Sequence, residues 1–347
     1  MLVPRHPPDW SGDPPPAPYD ESSGGAEARA AAGALPLSTR FRLGADITPI
    51  QAEFLKKNGF LLFDRVADTS EVSLILAEVD RVEAELKASG RERVNGVPVW
   101  FSPDPDGNDY MVRMGFSSQY SPALSAFVRD PRFEPVRRLI GEDARIGERE
   151  KDGVVFNRYV NAPGSVRPNL AWHTDALRDV FYNWKMPGPM LNVGLHFARI
   201  RPTEGGLRLL PGTHTQGVFS TLFSKIHFVT QRADSRELAV ETWPGDLSVH
   251  DGRMWHRVES SPKSGWASLR RSMYVPYVID AELQKHENSP TPMYLRLFDR
   301  IFRWRAARAR RMRRASITRP SVRIRTSSPP GAPCRPIARR WAMAPPA

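Results

Sequence analysis

The chain has 347 residues, a single cysteine and a formal net charge of +12, a size that suits one large domain or two small ones. With Cys334 alone, an internal disulfide, a cysteine-held zinc site and an iron–sulfur cluster are excluded, so any metal must be held by His, Asp or Glu. The charge would ordinarily suggest an anionic partner such as nucleic acid, but residues 301–347 contain thirteen Arg and no Lys, Asp or Glu; that tail alone carries +13 of a net +12, so the residues before it sum to −1.

Residues 1–45 are rich in Pro, Gly and Ala with no apolar period, and are expected to be mostly disordered. The opening MLVPRHPPDWSGDPPP places prolines where a signal peptide needs an apolar run, and nothing approaches the roughly 18 apolar residues of a membrane span. A cytoplasmic setting without a membrane partner is therefore expected. Order begins at Thr48-Pro49-Ile50-Gln51, where Thr48 suits the N-cap, Pro49 the first helical position and Gln51 the capping box. Asn58-Gly59 stops that helix, and Phe60–Phe63 reads as a short buried strand. A second helix runs from about Ser70 to Gly90, with Val72, Ile75, Leu76, Val79, Val82 and Leu86 on one face, and its expected role is to cover a sheet.

From 91 to 150 the signal is mixed, with short helical pieces at Ala123–Phe127 and Phe133–Leu139. From about Val154 to Val278, apolar runs (Val154–Tyr159, Met190–Ile200, Leu207–Leu210, Leu247–His250, Arg270–Val278) alternate with Pro/Gly turns, as in a β-sandwich or jelly roll. The expected division is thus a disordered 1–45, a folded 46–280 with a helical cover over 46–150 and the β core over 151–280, a connector over 281–300, and a basic low-complexity tail over 301–347. The tail reads either as a basic arm or as an out-of-frame translation of a GC-rich gene end. Its abrupt onset and lack of period favour the second.

The chemistry centres on Trp172-His173-Thr174-Asp175. On an extended strand His173 and Asp175 point to the same face, presenting an imidazole beside a carboxylate. A lone His-x-Asp arises often by chance. The run Gly245-Asp246 through Trp255-His256 offers a third ligand from across a barrel. Two His and one carboxylate on one face leave coordination positions open, as in a non-haem iron oxygenase, but the same set also suits catalytic zinc. Arg270-Arg271 follow in a strand-like run; a buried guanidinium there would pair with a carboxylate, whereas two adjacent arginines alone more often sit on the surface.

Several stretches together resemble the phytanoyl-CoA dioxygenase family of iron(II)/2-oxoglutarate oxygenases, from about Ile47 to Val278. The helices from Thr48 to Leu86 with Asn58-Gly59-Phe60 are similar to the family's opening. Ser121–Leu124 with Asp130–Phe133 matches a further stretch, and Glu204–His214 resembles its Pro-Gly turn. Gly245-Asp246 to His256 and Leu269–Ser272 resemble the distal-ligand and co-substrate strands. The resemblance implies a double-stranded β-helix (jelly roll, cupin-like) core in a mainly β fold with flanking helices. It also implies iron(II) held by His173, Asp175 and His256 as the catalytic and metal-binding set, with 2-oxoglutarate and O2 as co-substrates. Arg270 is the implied anchor for the distal carboxylate, with Arg271 the alternative because Ser260–Gly265 looks inserted ahead of them.

Asn157, Arg158 and Asn161 precede the metal motif and are candidate co-substrate contacts. The stretch 176–189 reads either as a lid or as packing. Its Arg178, Tyr182 and Trp184, with His196 on the strand around Leu195, are candidate substrate contacts, His196 reading equally as a core histidine. His250 is assigned to the core beside the ligands and His214 to the Pro-Gly turn. The implied activity is hydroxylation of an unactivated C–H bond of a small molecule with release of succinate and CO2, since relatives that halogenate lack the carboxylate supplied here by Asp175. The rival readings are a non-catalytic jelly-roll protein that binds a metal or small ligand, and a nucleic-acid binder working through the tail, against which the near-neutral body argues. The sequence selects neither a substrate nor an oligomeric state.

Overall fold

The computed structural model describes residues 4–20 and 27–292, and isolated residues as far as Arg311. Nearly all of the basic tail, with Cys334, lies outside the described residues. The first expected helix spans Pro49–Asn58. Thr48 Oγ1 accepts from the Gln51 amide at 3.2 Å while Gln51 Oε1 accepts from the Thr48 amide at 3.3 Å, the reciprocal cap its sequence predicts. Gly59 ends it at φ 83, and a Cβ there would lie 2.5 Å from His214 Nδ1. Glycine thus satisfies both the left-handed turn and the approach of the His214 ring.

Phe60–Phe63 is a fully buried strand, and the long helix Thr69–Ser89 follows. Asp68 caps it by accepting from the Ser70 and Glu71 amides, and Gly90 closes it at φ 61. Its stripe from Val72 to Leu86 is buried in the main core, as the helical spacing predicts. At about 1.5–3 kcal/mol for each large apolar side chain, this stripe is what holds the helix on the molecule.

The larger sheet runs, neighbour to neighbour, Phe60–Phe63, Leu247–Asp251, Met190–His196, Gly265–Val278, Val155–Asn161, Asp109–Met114 and Trp100–Pro103, with Arg145–Ile146 also pairing with Gly265–Val278. The smaller sheet runs Leu238–Ala239, Gly206–Leu209, His256–Glu259 and Leu170–His173. Every pairing in both sheets is antiparallel. A cavity opens between the sheets, walled by residues of both, which is the double-stranded β-helix expected from the alternation of short strands and turns. Among the described residues no helix is long and apolar enough to cross a membrane.

Two expectations need correction. Within 1–45, the described residues 4–20 and 27–45 carry structure: Ala28–Ala34 is helical with Ala28 and Ala32 buried, Arg40 pairs with Asp64 and Asp246, and the His6 ring lies 3.9 Å from that of Trp266. Proline-rich sequence lacks period, yet single side chains such as Arg40 and His6 anchor it. The mixed region 91–150 also holds strands, at Arg93–Val94, Val97–Pro98, Trp100–Pro103 and Asp109–Met114. These are too short, or too broken by polar residues, to show a period of two.

Candidate active site

His173 ends the strand Leu170–His173, and its Cα partner across the smaller sheet is His256. That register sets the two imidazoles 4.1 Å apart, centroid to centroid. The residue before each ligand points the other way: Trp172 and Trp255 pack with Leu210 in a small separate core that backs the metal-facing side. The turn after Leu210 fixes this arrangement, because Trp255 donates its amide to Thr213 Oγ1 at 3.0 Å and Leu210 donates to the Trp255 carbonyl at 2.9 Å.

Each imidazole is held in one orientation by its own chain. His173 Nδ1 lies 2.9 Å from the Ala171 carbonyl and His256 Nδ1 lies 3.0 Å from the Met254 carbonyl. A carbonyl only accepts, so both Nδ1 atoms carry the proton and both Nε2 lone pairs are free. Asp175 lies beyond the strand end, placed by its amide bond to the Gly252 carbonyl at 2.8 Å rather than by strand alternation. Its carboxylate lies 3.5 Å from His256 Nε2 and accepts from Asn192 Nδ2. One ligand atom from each of the three residues falls within 4.8 Å of the others. This spacing and donor set fit a single divalent ion bound on one face.

The electrostatics agree. Burial pushes the Asp175 carboxyl above its usual range, against the pull of His256, Lys151 and Asn192. Burial and the neighbouring His256 hold His173 well below the ordinary histidine value, and burial with His256 and His196 does the same to His250. The 29% exposure of the Asp175 side chain is exposure to the cavity, which this residue lines. His173 is therefore neutral and ready to ligate at neutral pH, and a divalent cation would draw Asp175 into its charged form.

The enclosed part of the cavity is about 200 Å³, lined by the triad and by Asn157, Tyr159, Arg167, Asn192, His250 and Tyr274, among others. On Gly265–Val278 the residues Arg270, Ser272 and Tyr274 share one face. Arg270 is buried, donates to the Glu259 carbonyl and to the Pro168 carbonyl at 2.7 Å, and keeps its Nε without a protein acceptor. Burial pulls its pKa down to about 10. It lines a second cavity of about 30 Å³ that shares Tyr159, Leu207, Val258 and Tyr274 with the first.

Other candidates are placed elsewhere. Arg271 lies opposite Arg158 in the register, donates to the His6 carbonyl and, like Arg270, borders the smaller cavity. Arg158 is a structural cation, paired with Asp80 and Glu83 of the long helix and not a co-substrate contact. Asn161 ties down the 260–265 loop, donating to the carbonyls of Ser261 and Lys263, each at 3.0 Å. Asn157 does face the cavity. Arg178 lines it too, held by Asp179 and Glu282, whereas Trp184 ends the helix Leu177–Asn183 at φ 50 and is 62% exposed. The Tyr182 side chain lies outside the described residues. His196 is buried against Ser248 Oγ at 2.8 Å and lines the smaller cavity beside Arg270. His214 bonds the Lys56 carbonyl, matching its expected turn role.

Several contributors were not anticipated, Tyr159, Tyr274 and Arg113 among them. Asn192 had a signal, sharing a strand face with His196. Arg167, in a Pro/Gly-flanked loop, and Phe228, which stacks on His173 at 4.9 Å from a residue with φ 61, had none.

The family model for phytanoyl-CoA dioxygenase (PhyH) matches residues 55–264. The chain belongs to the phytanoyl-CoA dioxygenase family. Among curated proteins it is 26% identical over 172 residues to an ectoine dioxygenase of Bordetella bronchiseptica, covering 48% of this chain and 49% of that protein. The match to an ectoine dioxygenase of Bordetella parapertussis is 25% identical with the same coverage. This family member thus spans about half the length of the curated relatives it matches. Among solved structures it is similar to AviO1 of Streptomyces viridochromogenes Tue57, at TM-score 0.47 and 17% identity, covering 67% of this chain and 96% of that one. A further likeness is to HygX of Streptomyces hygroscopicus, solved with nickel and 2-oxoglutarate, at TM-score 0.46 and 17% identity, covering 67% and 87%.

Proposed function

We propose that this chain is an iron(II)- and 2-oxoglutarate-dependent dioxygenase that hydroxylates a C–H bond of a small molecule, releasing succinate and CO2. The observation that carries this reading is the convergence of two imidazoles, each fixed by its own backbone, with one carboxylate at the wall of a cavity between the sheets. His173, Asp175 and His256 would hold the iron, leaving the other side of the ion for the co-substrate and O2. The chemistry a bound iron supplies is the activation of O2, coupled to decarboxylation of the co-substrate.

The remaining work belongs to the protein. Asn192 orients the Asp175 carboxylate. Arg270, buried and without a carboxylate partner among the described residues, is the anchor for the far carboxylate of 2-oxoglutarate; Tyr159 and Tyr274 line the passage between it and the triad. Leu207 and Val258 add apolar surface to the cavity wall. A cytoplasmic setting and a small-molecule rather than nucleic-acid partner complete the reading, since the folded body is near neutral.

Anaerobic titration tests it. Adding 2-oxoglutarate to the iron-loaded protein should produce the visible absorption of a chelated 2-oxo acid in wild type, lost in His173→Ala and displaced to much higher concentration in Arg270→Gln. No absorption change in wild type would contradict the proposal.

A further inference from the structure

A second guanidinium is buried in the same cavity, and the proposed co-substrate does not account for it. Arg167 is 4% exposed and lines the metal-side cavity. Its Nη2 donates to Asn157 Oδ1 at 3.2 Å and to the Tyr159 hydroxyl at 3.3 Å, while Nε and Nη1 find no acceptor among the described residues. No carboxylate pairs with it among the described residues, and the cation Arg113, which lines the same cavity, acts against its charge.

Arg113 is itself buried, with Nη2 on Asp152 and Nη1 unpartnered. Asp152 is already shared with Lys285 at 3.0 Å. Asp152 is thus taken by Arg113 and Lys285, and Arg167 lines the same cavity without a carboxylate partner among the described residues. Elsewhere in the cavity the charges balance, because Lys151 and Arg178 are matched by Asp179 and Glu282.

Packing alone does not explain the arrangement. The Arg167 guanidinium lies 5.1 Å from the Trp100 ring centre and 5.2 Å from that of Tyr159, contacts that favour a cation. They leave two donors unsatisfied, however, and do not offset the repulsion of Arg113. A buried unpaired charge is costly until an anion meets it. In the reading above, 2-oxoglutarate has spent both its carboxylates, one at the metal and one at Arg270.

We propose that Arg167, backed by Arg113, binds an anionic oxygen group of the primary substrate, a carboxylate or a phosphate, and so holds that substrate beside the triad. The proposal rests on the oxygenase reading and narrows it: the substrate is a small acid, and neutral amide or ester analogues are rejected at Arg167.

The test uses the full chain loaded with nickel in place of iron and saturated with 2-oxoglutarate. Acetate and inorganic phosphate are titrated at constant ionic strength, with melting temperature as the readout. At least one anion should stabilise wild type saturably, and which one does so separates carboxylate from phosphate. Its apparent affinity should fall about tenfold or more in Arg167→Gln, as expected for losing a charge-assisted bond, and less in Arg167→Lys, while 2-oxoglutarate binding stays as in wild type. Equal stabilisation of wild type and Arg167→Gln, or no saturable effect in wild type, overturns the proposal. If Arg167→Gln loses 2-oxoglutarate while Arg270→Gln keeps it, Arg167 is the co-substrate anchor; the proposal falls and the oxygenase class stands. A wild type that binds no 2-oxoglutarate overturns the oxygenase reading, and the assignment to a primary substrate with it.

Discussion

His173 and His256 can act as a pair because each is pinned by the carbonyl two residues before it. Asp175 has no such local clamp and relies on Asn192. Replacing Asn192 with Ala should therefore weaken metal binding by about 10–100-fold, the usual effect of losing a ligand's outer hydrogen bond, with the fold intact. Metal titration monitored by calorimetry reads this directly, and unchanged affinity would remove Asn192 from the site. The His173–Asp175 pair was legible in residue identity and short spacing, and His256 through the resemblance of the run that ends on it. Arg167 showed nothing, because a loop residue carries no period, and Asn192 showed only its strand face, its role depending on which strand lies opposite. Arg158 was misread for the same reason: its number places it near the motif, while its face turns it toward the long helix.

The helix Thr69–Ser89 does more than cover the sheet. Its Asp80 and Glu83 receive Arg158, whose guanidinium is only 1% exposed. Replacing Arg158 with Ala would remove one partner each from Asp80 and the buried Glu83, leaving Glu83 with Lys87 and the more distant Arg5, and should cost about 3 kcal/mol. Chemical denaturation should show that loss, while the affinity for 2-oxoglutarate in the remaining folded protein should match wild type. The cap of the same helix is a smaller matter. Asp68→Ala should cost about 1 kcal/mol without touching metal binding. Helices and their caps were legible because their signals are local. The strands Trp100–Pro103 and Asp109–Met114 were not, since pairing to Val155–Asn161 rather than sequence period defines them. The 260–265 loop, read from the sequence as an insertion, is held by Asn161.

At the scale of the molecule, the space between the sheets holds several neutral histidines. Burial, with Arg40, lowers the His196 pKa to about 4 from an ordinary 6.5. A depressed histidine is protonated more readily in the unfolded chain, so its neutral burial is stable above pH 6.5 and becomes a penalty as pH falls toward 4. His196 alone should cost roughly 2 kcal/mol between neutral pH and pH 5. Melting curves of the metal-free protein should fall over this window, and less steeply for His196→Asn. The jelly-roll class and its family were legible from strand alternation and motif order, whereas the attachment of the N-terminal segment through Arg40 and His6 was not, because single anchoring residues leave no pattern.

The central claim is that the triad supports turnover of 2-oxoglutarate. The measurement is succinate formed under air with added iron(II) and a pool of small acids, comparing wild type, His173→Ala and Arg270→Ala. The account predicts iron-dependent succinate from wild type, its loss in His173→Ala, and recovery in Arg270→Ala only at much higher 2-oxoglutarate. Succinate production that survives in His173→Ala, or a wild type that makes none with every acid supplied, would contradict it.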